Sequence, residues 1–265
     1  MQEAQVKLTP GGVIGLLSIG LVAGFLSGMF GVGGGILIVP GLITVAGFSQ
    51  RLASGTSLTA IVPLATVGVV SYASRGDISA VGGLVLALGA MLGAQVGTWI
   101  LARIRIKPLQ LMFVGFMVIV IVSLFLVVPS REGTFTLTAL TSVALLAVGF
   151  VTGVLSGLLG IGGGVVVVPA LILLFGFSDL LAKGTSLLMM IPTALTGTLA
   201  NMRNDNVDLR AALLVGVPAC ATTYLGSLAA EAASPTLANT LFAIFLSVVA
   251  IQLLWKALRK PERQQ

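Results

Sequence analysis

The 265-residue sequence has no histidine, one cysteine, and charged side chains at only 8% of positions. Without histidine there is no Ser-His triad and no histidine metal site. The single cysteine, Cys220, excludes an internal disulfide, and its place in an apolar stretch marks it as a small packing residue. Carboxylates are confined to Glu3, Asp77, Glu132, Asp179, Asp205, Asp208, Glu231 and Glu262. None falls near the centre of an expected span, which leaves a membrane enzyme without an acid or base and proton coupling without a carrier. The chain is therefore read as no enzyme, with no cofactor and no metal.

What is present is apolar surface. Hydrophobic residues make up 57% of the chain and the mean hydropathy is +1.14, more than a soluble domain can carry. Most of the charge-free stretches exceed the roughly 20 residues that span a bilayer as a helix. Two of them, 8–50 and 133–178, are about twice that length, so each must fold back or break. The net charge of +6 reflects basic residues in short loops and the tail rather than on a patterned face, so topology explains it and nucleic acid is not expected as a partner.

The chain also repeats itself at an offset of 129 residues. GFLSGMFGVGGGILIVPGL from Gly24 is answered by GVLSGLLGIGGGVVVVPAL from Gly153, and GFSQRLASGTSL from Gly47 by GFSDLLAKGTSL from Gly176. About half of the positions between Gly24 and Gly68 match their partners, which marks a duplicated unit. The halves are 1–130 and 131–265 within one integral membrane unit. Each reads as five helical elements, near 11–31, 33–46, 54–73, 79–102 and 108–128, then 136–160, 162–175, 183–202, 208–230 and 237–257.

If all ten elements cross, one face collects every basic residue except Arg75, Arg131 and Lys183, a strong inside bias that puts both termini in the cytoplasm. An odd number of crossings per half then inserts the second repeat upside down. The expected fold is an all-α polytopic membrane protein of two inverted repeats whose glycine breaks converge near the midplane.

The breaks suit an anion. Gly33, Gly34 and Gly35, with Gly162, Gly163 and Gly164, permit a sharp turn and then open a helix whose first N–H groups lack an internal acceptor. Such N-termini attract negative charge. Gly55, Thr56 and Ser57, with Gly184, Thr185 and Ser186, stand where the third element of each repeat is expected to begin and offer hydroxyls and further N–H groups. Lys183 takes the place of Ser54 and adds a cation to one side only. Each feature has a plainer alternative: close helix packing for the glycines, capping for Gly-Thr-Ser, and a surface loop for Lys183. Pro63 and Pro192 fall inside the third and eighth elements, as kinks that serve packing or act as hinges.

The doubled phrase GxxSGxxGxGGGxxxxPxL with its following GTSL resembles the sulfite exporter TauE/SafE family, also called the 4-toluene sulfonate uptake permease family. The matching positions are Gly31 to Gly35 with Pro40, Gly55 to Ser57, Gly160 to Gly164 with Pro169, and Gly184 to Ser186. The resemblance implies a multi-pass transporter of the prokaryotic cytoplasmic membrane that moves sulfite, sulfonates or related anions. The expected function is a secondary transporter of small sulfur-containing oxyanions working by alternating access. A passive anion channel with the same site and a membrane scaffold without substrate are the alternatives. Expected partners are the small anion, membrane lipid, and a coupling ion, proton or sodium, which uptake against a negative interior requires and export does not.

Overall fold

The computed structural model describes residues 10–101, 114–115, 117–118, 121–122, 138–159 and 162–258. Nine helices are delimited among the described residues: α1 Pro10–Phe30, α2 Gly35–Ala46, α3 Gln50–Ala73, α4 Ala80–Leu101, α5 Ala139–Leu159, α6 Gly164–Phe175, α7 Asp179–Met202, α8 Leu209–Ala232 and α9 Pro235–Leu258. No strand occurs among these residues. The element expected at 108–128, the break residue Gly160, and the boundary near residue 130 lie wholly or mostly outside them.

Seven of the nine helices are long and apolar enough to cross a membrane. The other two, α2 and α6, have 12 residues each, about 18 Å of helix against a hydrocarbon core of about 30 Å. Each therefore runs only part of the way. In the first repeat α2 returns along α1: Gly34 lies against Ala23, Gly41 against Ile19, and Val45 against Gly15. The chain thus comes back toward the side on which α1 started, although the short helix alone does not span.

Two helix starts differ from expectation. α3 and α7 begin four residues earlier than predicted, because Ser49 and Ser178 cap them by accepting from Leu52 N–H and Leu181 N–H at 3.3 and 3.2 Å. The preceding glycines, Gly47 and Gly176, end the short helices in the left-handed conformation at φ of 68° and 67°. Gly-Phe-Ser is thus a stop, a buried phenylalanine and a start in three residues. The Gly-Thr-Ser segments are consequently inside helices, and their N–H groups are committed to the helical ladder rather than offered to a ligand.

Glycine sets how closely the long helices approach. On α1, Gly20, Gly24 and Gly28 sit against the backbone carbonyls of Val215, Ala219 and Thr223 on α8, and Gly226 of α8 sits against Phe25. The equivalent pair, α4 and α5, interlocks from both sides: Gly89, Gly93 and Gly97 meet the carbonyls of Leu146, Phe150 and Val154, while Gly149, Gly153 and Gly157 meet those of Leu86, Ala90 and Ala94. Both pairs run parallel, with backbones closer than any side chain would allow. The packing role of Gly24 and Gly28 is thus seen directly.

α3 and α7 form the centre. They are repeat equivalents, and they pack antiparallel: Gly55 meets Asn201, Leu58 meets Gly197, Gly68 meets Leu187, and Tyr72 meets Gly184. Equivalent helices that run in opposite directions are what inversion of one repeat produces. Pro63 and Pro192 lie within these two helices. Around this core, Phe30 stacks on Phe242 at 5.0 Å and joins α1 to α9. The outer faces of α4, α5 and α8 expose Leu88, Leu92, Leu140, Leu213 and Val217, an apolar belt suited to lipid.

Candidate anion site between the two glycine breaks

Gly33 and Gly34 have φ of 73° and 68°, and Gly162 and Gly163 have 80° and 82°. An L side chain costs about 1–2 kcal/mol in this region, so only consecutive glycines let the chain reverse between α1 and α2, or α5 and α6, in so few residues.

The two reversals come together. A Cβ built on Gly162 would lie 3.0 Å from Ile61 Cδ1 and 3.8 Å from Met190 Sδ, and one built on Gly33 would overlap Met190 Sδ and lie 3.7 Å from Ile61 Cγ2. Gly164 approaches Val32 Cα within 2.7 Å of its built Cβ. Ile61 and Met190 are repeat equivalents near the middle of α3 and α7, and both are fully buried. Their side chains lie between the two breaks. Met190 is where both breaks meet.

α2 and α6 differ from their neighbours at the N-terminus. Gly34 and Gly163 make no side-chain cap. Each of α3, α4, α5, α7, α8 and α9 has one, supplied by Ser49, Ser79, Thr138, Ser178, Asp208 and Ser234. Leu37 and Ile38 N–H donate to the Gly34 carbonyl at 3.0 and 3.1 Å, and Val166 and Val167 N–H to the Gly163 carbonyl at 3.0 and 3.2 Å. The N–H groups of Gly35 and Ile36, and of Gly164 and Val165, come before these bonds and belong to buried residues, where an uncapped helix start favours negative charge. Three buried hydroxyls have no hydrogen-bond partner: Ser27 on α1, Ser57 on α3 and Thr152 on α5, the last with its methyl 2.7 Å from a Cβ built on Gly163.

The hydroxyls predicted from Gly-Thr-Ser divide into two kinds. Thr56 Oγ1 accepts from Asp208 N–H at 3.0 Å, and Thr185 Oγ1 accepts from Ser79 N–H at 3.0 Å. These are symmetric ties: each threonine holds the first turn of a helix in the opposite repeat. Gly55 and Gly184 make room for the same loops, against the carbonyls of Asn206 and Asp77. Changing either threonine to valine strands a partly buried backbone N–H, so each variant is expected to lose about 1–3 kcal/mol of stability. Thermal unfolding of the purified variants measures this, and the two losses should be similar.

The serines face the breaks instead. Ser186 Oγ donates to the Gly31 carbonyl at 3.0 Å. Ser57, its equivalent, is fully buried, has no partner, and lies one turn before Ile61 on the same face of α3.

Lys183 is not a loop residue. It is 5% exposed in the second turn of α7, with its Cα 2.6 Å from a Cβ built on Gly31, and Nζ donates to Asp179 Oδ2 at 3.3 Å. Asp179 is 1% exposed although it stands in the first turn of α7, away from the centre of the span. Their spacing of four residues was the available signal.

The chain as a whole is similar to known proteins. A family model described as sulfite exporter TauE/SafE matches residues 2–124 and 145–265. The chain belongs to this family. It is 33% identical over 252 residues to a probable membrane transporter protein of Xylella fastidiosa (strain 9a5c), covering 92% of this chain and 95% of that protein. It is 29% identical over 217 residues to the probable membrane transporter protein YunE of Bacillus subtilis (strain 168), covering 73% of this chain and 79% of that one. No solved structure matches it. As a TauE/SafE family member the protein is a multi-pass membrane transporter and not an enzyme.

Proposed function

We propose that this transporter carries small sulfur-containing oxyanions of the sulfite or sulfonate class across the cytoplasmic membrane by alternating access, with both termini in the cytoplasm and one repeat in residues 1–130, the other in 131–265. The reading is carried by the two uncapped helix N-termini, which converge from opposite repeats on Ile61 and Met190. A buried helix start without a cap is costly unless something else accepts its N–H groups, and an oxyanion can accept several at once. Gly33 to Gly35 and Gly162 to Gly164 supply the N–H groups. Ser57 and Ser186 supply hydroxyls, and Lys183 supplies the charge. Thr56 and Thr185 chiefly tie the repeats together, with their own O–H left to donate. Entry of the anion requires Ile61 and Met190 to move aside, for which the flexible thioether is suited.

The test is uptake of sulfite, thiosulfate and methanesulfonate by the purified protein in proteoliposomes, beside Ser57→Ala. Removing an unpartnered buried hydroxyl leaves stability unchanged or slightly raised, whereas losing a hydrogen bond to an anion raises KM roughly tenfold or more. An unaltered KM in a stable variant would return Ser57 to packing. Acceleration of uptake by the same anion on the far side separates a carrier from a channel, which shows no counterflow.

A further inference from the structure

The inverted repeat supplies its own control for the Asp179–Lys183 pair. Their equivalents are Gln50 and Ser54, where Gln50 Nε2 donates to Ser54 Oγ at 3.4 Å. The same contact, four residues apart at the same helix start, is neutral in one repeat and ionic in the other. The contrast extends across that end of the molecule. Tyr72, Arg75 and Asp77 correspond to Asn201, Asn204 and Asn206. Arg75 lies 5.1 Å over the Tyr72 ring, 3.8 Å from Asp77 and 3.6 Å from Glu231. At these three positions one end of the α3–α7 pair carries titratable side chains and the other carries amides. Since Gln and Ser already build the contact, the fold does not require the charges.

We propose that Asp179 binds a coupling proton, taken up when the transported anion draws Lys183 away from it. This rests on Lys183 being an anion contact. In the anion-free state the pair sums to zero charge. A monoanion on Lys183 leaves the buried site at −1, and one proton on Asp179 restores neutrality. The Nζ–H contact to Oδ2 breaks, an Nζ–H contact to an anion oxygen forms, and the carboxylate takes a proton from water on the Arg75 side. Oδ1 has no hydrogen-bond partner and is ready to receive it. Release of the anion reverses each step, and the proton leaves with it. The charged and titratable groups surrounding this exchange are Lys183 on α7, Tyr72 on α3, Arg75 and Asp77 in the α3–α4 turn, and Glu231 at the end of α8. Gln50 and Ser54 cannot carry the proton, so loading is confined to one end.

The experiment loads wild-type proteoliposomes with a pH-sensitive dye in sodium-free buffer and adds methanesulfonate, whose anion stays unprotonated and brings no proton of its own. The expected result is internal acidification of one proton per sulfonate taken up. In Asp179→Asn the ratio falls to zero while methanesulfonate still raises the melting temperature. If that variant does not fold, D179Q/K183S, which copies Gln50 and Ser54, replaces it, and any proton movement with its residual uptake overturns the proposal. So does wild-type uptake without acidification, a requirement for sodium, or acidification retained in Asp179→Asn. Failure of the wild type to take up sulfite, thiosulfate or methanesulfonate overturns the substrate class, and the proton falls with it.

Discussion

Alanine at both Gly93 and Gly153 is expected to remove most of the folded protein from the membrane. A Cβ at Gly93 overlaps the Phe150 carbonyl, and one at Gly153 overlaps the Ala90 carbonyl. The obstacle in each case is backbone, which has no rotamer to change, so α4 and α5 must separate along a contact interlocked by six glycines. In a bilayer this separation is not opposed by water, and what is lost is the close packing that drives helix association in lipid. Each added methyl costs about 1–3 kcal/mol by overpacking, and the second costs less than the first because one separation accommodates both. The check is the yield and thermal midpoint of the detergent-purified double variant beside Gly11→Ala. Gly11 has nothing within 4 Å of its built Cβ, so alanine there should leave stability unchanged or raise it by up to about 1 kcal/mol. Equal midpoints for the two proteins would mean that the α4–α5 contact is looser than its geometry indicates.

The glycine breaks were legible in the sequence because consecutive glycines are expensive inside a helix and nothing else in a charge-free stretch of that length can turn the chain. Inversion followed from parity, and the antiparallel packing of α3 on α7 agrees with it. The starts of those helices were expected near 54 and 183, four residues inside where they stand. Gly-Phe-Ser already held a cap, and Gly55 and Gly184 are tolerated one turn or more inside because the carbonyls of Asn206 and Asp77 occupy the space a side chain would need. That tolerance depends on a loop from the opposite repeat, which no local window contains. The threonine ties were illegible for the same reason: Thr56 and Asp208 are 152 residues apart. Asp179 was visible as one of eight carboxylates, but its burial belongs to the packing of α7 on α3 and α4 and not to its neighbours in the chain.

Lys183→Met is expected to cost about 3–5 kcal/mol, the loss found when one member of a buried ion pair is removed. The side chains of Lys183 and Asp179 are 6% and 2% exposed, so solvent cannot replace the lost partner. Asp179 would keep a carboxylate whose Oδ1 is already without a partner and whose Oδ2 loses the Lys183 contact. Asp179→Asn is expected to cost less, because an amide in that place carries no charge and the long lysine stem can redirect its ammonium toward the surface. The double variant D179Q/K183S should recover most of the stability, since Gln50 and Ser54 already occupy the equivalent places. A double-mutant cycle by thermal or denaturant unfolding, with Asp179→Gln and Lys183→Ser as its single variants, therefore yields a coupling of several kcal/mol between residues four apart. A cycle that closes near zero, with Lys183→Met as stable as the wild type, would show that Asp179 does not depend on Lys183, and the anion would then have no competitor to displace. Stability alone gives the second repeat no reason to keep the ionic pair, because the neutral pair of the first repeat avoids the cost of burying two charges. Exchange of partners supplies that reason: a lysine held by a carboxylate can be given to a passing anion and then taken back.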